Sequence, residues 1–220
     1  ASGVLTFPAG VTTRTVPVAT LQDSLDEADE TFRVLLSAPT GAGLADAEGV
    51  GTIADDDPLP ALSVSDVARA EGNSGSSNAT FTVTLAPASG RTVTVAYATA
   101  DQTATAGADY TASSGTLTFA PGATSQTFAV PVLGDLLDEP DETFAVTLSA
   151  PTNASLADAS GLGTITDDDG LPGLAIADAS RAEGNAGSAS LTFAVTLSAA
   201  SDQQVTVAYA PGGGTASAAP

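Results

Sequence analysis

Asp138-Glu139-Pro140-Asp141-Glu142-Thr143-Phe144-Ala145-Val146-Thr147-Leu148 joins an acidic loop to an alternating apolar strand, and it has an earlier copy. Asp26-Glu27-Ala28-Asp29-Glu30-Thr31-Phe32 lies 112 residues upstream. The same offset relates Leu5-Thr6-Phe7 to Leu117-Thr118-Phe119 and Asp55-Asp56-Asp57 to Asp167-Asp168-Asp169. In the other half it relates Arg69-Ala70-Glu71-Gly72-Asn73 to Arg181-Ala182-Glu183-Gly184-Asn185, and no gap is needed anywhere. Residues 1–57 are therefore read as the C-terminal half of one repeat, 58–169 as a complete repeat, and 170–220 as the N-terminal half of a third. A period of 112 residues exceeds any solenoid coil and suits an array of small domains. Pro58 and Pro60 at one joint and Pro172 at the other restrict how neighbours pivot.

Working outward along the complete repeat, Phe144, Val146 and Leu148 face one way, with polar or small residues between them. Phe81, Val83 and Leu85 alternate with Thr80, Thr82 and Thr84, and Val93, Val95 and Tyr97 keep the same period of two. Turn residues punctuate these runs, and no segment carries a helical stripe. The pattern predicts seven strands, near 61–67, 78–85, 92–98, 114–119, 126–132, 143–149 and 161–166. Seven short strands with frequent turns predict an all-β chain of two-sheet sandwich repeats.

In such a sandwich successive connections alternate between the two ends. The connections after the first, third, fifth and seventh strands share one tip. They carry Glu71, Asp101, Asp109, Asp135, Asp138, Glu139, Asp141, Glu142, Asp167, Asp168 and Asp169, against Asp158 alone at the other end. Two carboxylates about 4 Å apart repel by roughly 4 kcal/mol at an effective dielectric near 20. That is a heavy load for a domain of about 5–15 kcal/mol net stability. Arg69 and Arg91 are the only basic residues of the repeat, and only Arg69 falls near the tip. An all-oxygen donor set prefers hard cations, and a crowded carboxylate cluster suits calcium better than magnesium, which demands a strict octahedron. General salt adaptation would instead scatter acids over both ends.

Composition narrows the function further. The chain has 26 acids against five basic residues, all Arg, for a formal charge of −21. It should repel nucleic acid and anionic lipid. No run of about 18 or more apolar residues occurs, so no helical membrane span is expected. Cysteine, histidine and lysine are all absent, which removes thiolate ligands, most zinc sites and the commonest general base. Ser has no activating partner, and aromatic residues for a sugar platform are scarce, so no enzyme is expected.

The complete repeat resembles a Calx-beta domain, the module of the calcium-sensing loop of sodium–calcium exchangers and of many extracellular tandem arrays. The matching motifs are Glu71-Gly72-Asn73-Ser74-Gly75, Val93-Thr94-Val95 through Tyr97, and Thr103-Ala104 with Ala106-Gly107-Ala108-Asp109-Tyr110. They continue with Gly115-Thr116-Leu117-Thr118-Phe119, Gly134-Asp135, Asp138 through Phe144, and Gly163-Thr164-Ile165 leading to Asp167–Asp169. The resemblance implies tandem immunoglobulin-like, seven-stranded antiparallel β-sandwich repeats with calcium at one tip, beside the joint to the next domain. By position it implies ligands at Glu71, Asp109, Asp135, Glu139, Glu142, Asp167, Asp168 and Asp169, with Asp138 and Asp141 nearby. Gly134 stands where the strongest sensors of the family carry another Asp, which implies a weaker site or fewer ions.

Residues 1–57 keep Asp23, Glu27, Glu30, Asp55, Asp56 and Asp57 as candidate ligands, and retain Asp26 beside them, but lack counterparts of Glu71 and Asp109. Residues 170–220 keep only Glu183; Pro211 through Gly214 replace Thr99 through Gln102, and Ala219 replaces Gly107. The two halves could complement each other; a piece of a longer protein, without its targeting signal, is the simpler expectation. The expected module is a calcium-stiffened spacer or adhesive repeat of a secreted or cell-surface protein. Its expected partners are calcium ions, neighbouring repeats and another surface protein or glycan. The alternative is a calcium sensor within a membrane transporter or signalling protein.

Overall fold

A computed structural model describes residues 2–214; Ala219 lies outside them. The chain forms β1 (Glu30–Leu35), β2 (Glu48–Ile53), β3 (Ala61–Val64), β4 (Val67–Ala70), β5 (Gly75–Ala86), β6 (Val93–Asp101), β7 (Ser114–Phe119), β8 (Ser125–Gly134), β9 (Glu142–Thr152), β10 (Ser155–Asp158), β11 (Ser160–Thr166), β12 (Leu174–Ile176) and β13 (Val195–Leu197). No helix among the described residues is long and apolar enough to cross a membrane.

The complete repeat is a two-sheet sandwich, one sheet ordered β10-β3-β5-β8 and the other β4-β11-β9-β6-β7. Alternate side chains of each strand point inward, so β5 buries Ala79, Phe81, Val83 and Leu85 while β9 buries Phe144, Val146 and Leu148. Aromatic rings tie the sheets together. Phe81 of β5 meets Phe144 of β9 edge-on at 5.9 Å, and Phe128 of β8 stacks on Tyr97 of β6 at 3.9 Å. A one-residue slip would turn any of these rings to solvent, which fixes the register.

Two features depart from the seven expected strands. The first expected strand is split: β3 joins one sheet and β4 the other, with the break at Ser65 and Asp66. The break is held by hydrogen bonds, Ser65 N to Thr82 O at 3.0 Å and Leu162 N to Asp66 Oδ1 at 2.7 Å. Because one segment feeds both sheets, two edge pairs, β3 with β10 and β4 with β11, run parallel, while every other ladder is antiparallel. The second departure is β10 itself, four residues of the connection between β9 and β11 that pair with β3.

The flanking segments reproduce the ladders whose two strands they contain. Glu30 opposite Ile53 repeats Glu142 opposite Ile165, and Leu174 opposite Leu197 repeats Leu62 opposite Leu85. Leu5 to Phe7 and Val16 to Val18, the counterparts of β7 and β8, form no strand. In the complete repeat β7 pairs with β6 and β8 with β5, and residues 2–57 hold a counterpart of neither. Among the described residues no ladder within the chain joins the first segment to the third.

Glycines mark close approaches. A Cβ on Gly163 would enter the Phe144 ring, and one on Gly51 the Phe32 ring, so the Gly-Thr-Ile motif keeps an aromatic flat on the neighbouring strand. Gly134 ends β8 against the backbone of the Glu71 loop: a Cβ there would overlap the Gly72 carbonyl oxygen and come within 2.6 Å of that of Glu71. An acid at position 134 could not be housed without moving that loop. Gly134→Ala should therefore cost about 1–3 kcal/mol by overpacking against backbone. Gly170→Ala, which meets nothing within 4 Å, should be near neutral. Chemical denaturation of both variants checks this; equal stabilities would contradict the close approach.

Candidate metal centre

The tip gathers its acids from four separate connections. Glu71 follows β4, Asp109 lies between β6 and β7, Asp135 to Asp141 lie between β8 and β9 with Glu142 opening β9, and Asp167 to Asp169 follow β11. The sandwich brings Glu71, Asp167 and Asp169 together, with one carboxylate oxygen of each within 4.8 Å of the others. Glu71 is only 5% exposed, and its Oε1 has no hydrogen-bond partner; neither has Asp169 Oδ2. Buried carboxylate oxygens are normally paired, because desolvating them is costly. No arginine supplies the missing partner. Arg69 Nε donates to Ser77 Oγ, and the one ion pair among the described residues joins exposed Arg33 and Glu48.

Several other acids hold the loops in shape. Asp168 Oδ1 accepts from Gly72 N at 3.0 Å, and Asp169 Oδ1 accepts from Asn73 Nδ2 at 2.6 Å, clamping the Glu71 loop to the β11 terminus. Gly72 has φ of 80°, a conformation that disfavours other residues there. Asp141 Oδ1 accepts from Asp167 N at 3.1 Å, and Asp135 Oδ1 accepts from Leu137 N at 2.6 Å. Asp101 accepts from Tyr110 Oη at 2.6 Å and from Ala106 N at 2.9 Å. Asp101 therefore orders the loop that presents Asp109, whose Oδ2 in turn accepts from Thr105 N. These bonds hold the Asp101 carboxyl below its ordinary range, and burial with that partner pushes Tyr110 up to about 12.

The electrostatics follow from this crowding. Burial, reinforced by the charges of Glu139, Asp135 and Asp167, pushes the Glu71 carboxyl up to about 7. Burial and the charge of Asp109 push Glu142 to about 7 as well. Glu139 is raised by burial and by Asp135, Asp109 and Asp202, and Asp169 by burial and by Asp167 and Asp168. Glu71, Asp167 and Asp169 thus form one pole and Glu142 with Asp109 another, both acting on Glu139.

Asp138 stands apart from this group. It is 4% exposed, and its Oδ2 accepts from Ser201 Oγ at 2.7 Å. Asp202, beside that serine, adds a carboxylate from the third segment that the sequence reading missed. The lag points to it only through Gly90, its counterpart one period earlier, and only once the repeats are known to meet end to end.

In the first segment Asp23, Glu27, Glu30, Asp55, Asp56 and Asp57 line one open cleft. The loop bonds recur there: Asp55 N donates to Asp29 Oδ1 at 3.0 Å and Leu25 N to Asp23 Oδ1 at 2.9 Å. The charge of Asp23, with burial, raises Glu27, and burial with Asp55 and Asp56 raises Asp57. Glu183 is exposed.

The family model for the Calx-beta domain matches residues 1–57 and 62–169. The chain belongs to the Calx-beta family. No curated protein is similar enough to count as a relative. Among solved structures, the apo-form Calx CBD1 domain shares 26% identity over 51% of this Calx-beta chain and 100% of its own, with a TM-score of 0.46. The calcium binding domain CBD12 of CALX1.1 shares 27% identity over 53% of this chain, which spans 50% of its length, also at a TM-score of 0.46.

The raised carboxyls of this Calx-beta tip fix the sign of its pH dependence without metal. Glu71 and Glu142 titrate near their ordinary 4.5 when unfolded and near 7 when folded. Between those values the folded chain holds more protons, so stability falls as pH rises and the penalty is complete above about 7. In chelator the melting temperature should be higher near pH ~5.5 than near pH ~8, and Glu71→Gln should flatten the difference. A melting temperature that climbs with pH would contradict the crowding.

Proposed function

We propose that this chain is a calcium-binding structural and interaction module, a tandem spacer or adhesive repeat of a secreted or cell-surface protein. Calcium would stiffen the tip loops and the joint to the next domain. One observation carries the reading: the unpartnered, buried Glu71 Oε1, aimed at the oxygens of Asp167 and Asp169. Three carboxylates on two strand termini supply hard oxygen donors, and Asp135 and Glu139 lie close enough to raise Glu71 further. Calcium accepts six to eight oxygens in flexible geometry, as loops from several connections can provide. Glu139, Glu142 and Asp109 would serve a neighbouring ion.

The location is argued from affinity. Extracellular calcium modules work at about 10⁻⁴–10⁻³ M. Gly134 adds no charge to the tip, and the backbone packed on it leaves no room for an acid. A cluster of this kind suits the calcium concentration outside cells. With no helical span among the described residues, the described chain has no membrane helix of its own, and its charge of −21 disfavours nucleic acid. Neighbouring repeats are its nearest partners; another surface protein or a glycan would be met through the array.

Isothermal titration and thermal melts of the full chain test the reading. With calcium at about 100 times its dissociation constant, each independent site stabilises by about 2.7 kcal/mol. For a domain of this size that is a rise of roughly 10 °C, reversed by chelator. Asp167→Asn with Asp169→Asn should abolish most of it, and magnesium should reproduce little. A chain that neither warms nor stiffens in millimolar calcium is not a calcium module.

A further inference from the structure

Besides Glu71, the buried polar residues among those described are Asp26, Ser89 and Asp138, and all three lie where one repeat meets the next. Asp26 belongs to the acidic tip loop of the first segment, and Ser89 to the turn between β5 and β6, at the opposite end of the complete repeat. Ser89 Oγ lies 3.2 Å from both Asp26 Oδ2 and Asp26 O, and Gly90 N donates to Asp26 O at 3.0 Å. One period later the same contact recurs. Ser201 Oγ lies 2.7 Å from Asp138 Oδ2 and 3.3 Å from Asp138 O, and Asp202 N donates to Asp138 O at 3.1 Å. Both pairs form a parallel bridge between the two chain segments. Each serine is also fixed within its own turn, accepting from Arg91 N at 3.0 Å or Gln203 N at 3.1 Å.

From this recurrence we infer that Asp26 and Asp138 are docking residues: the tip loop of each repeat binds the serine-bearing turn at the base of the next. The partner this surface fits is another repeat of the same kind with a serine at that place. The contact consumes the carboxylate that sequence position would offer to calcium. It does not rest on the calcium reading, since every bond in it is made by protein atoms. The joints differ in one respect. Gly90 leaves room for Glu27, whose Oε1 lies 2.5 Å from where a Cβ would sit, whereas Asp202 fills that position in the second joint.

The full chain has no cysteine, so paired spin labels can be placed at will. Exposed Leu35 and Thr116 report on the first joint, and Thr116 with exposed Ile176 on the second. In chelator, Ser89→Ala should broaden only the first distance distribution and Ser201→Ala only the second. Amide exchange at Gly90 should quicken at least tenfold in Ser89→Ala, with β5–β8 amides still protected. Should Ser89→Ala disturb the sandwich, Asp26→Ala opens the same joint from the other side. Unchanged distances and exchange in both variants would overturn the inference. So would a calcium ion lost in Asp138→Ala, which would make that residue a ligand. If the wild-type chain binds no calcium at all, the distances in chelator still decide the joint.

Discussion

Like charges forced together on an apolar scaffold govern this molecule. The sandwich closes because Phe81, Phe128, Tyr97 and Phe144 interlock between two sheets. Closing it drives the ends of β4, β8, β9 and β11 to one tip, where the chain places carboxylates. Some of that charge is absorbed by loop hydrogen bonds, as at Asp101, Asp141 and Asp168. Glu71 and Glu142 have no such relief, and Asp169 keeps one oxygen unpaired despite its bond to Asn73; their raised carboxyls record it. Hydrophobic packing and electrostatic repulsion are thus set against each other by the same strands. A cation is the simplest agent that relieves one without loosening the other.

The acids therefore divide by job more than by position in a motif. Asp167, Asp168 and Asp169 are adjacent, yet Asp168 fastens Gly72 while Asp169 leaves an oxygen free and buried. Asp138 and Glu139 are adjacent as well; Asp138 bonds Ser201 of the next repeat, while Glu139 carries the repulsion of Asp135 and Asp109 in its own. Alternation of this kind lets one short loop shape the tip and meet its neighbour together.

Much of this was legible beforehand. A period-two pattern is enough to place β5, β6, β8 and β9, because half-buried strands must alternate. A gapless lag was enough to carry Asp135, Glu139, Glu142 and Asp167 to Asp169 back onto the first segment. What stayed hidden needed three dimensions. The division of the first strand into β3 and β4 rests on the Asp66 side chain reaching Leu162 N, 96 residues away. The reason for Gly134 is a neighbouring carbonyl, invisible in a string of letters. The sequence places Asp138 only near the ligands, with no role of its own, because burial against Ser201 depends on how two repeats meet. Asp202 was overlooked for the same cause.

The split first strand has a mechanical meaning. In a tandem array a pull on the ends enters each sandwich at β3, passes through β4 and leaves through β11. Strands β4 and β11 lie side by side and point the same way, Gly163 to Thr166 against Val67 to Ala70. Tension therefore slides these strands along each other, straining their bonds simultaneously in shear instead of unzipping them singly. A chain of such units would resist stretching at its joined edges first, with its interior ladders held in reserve.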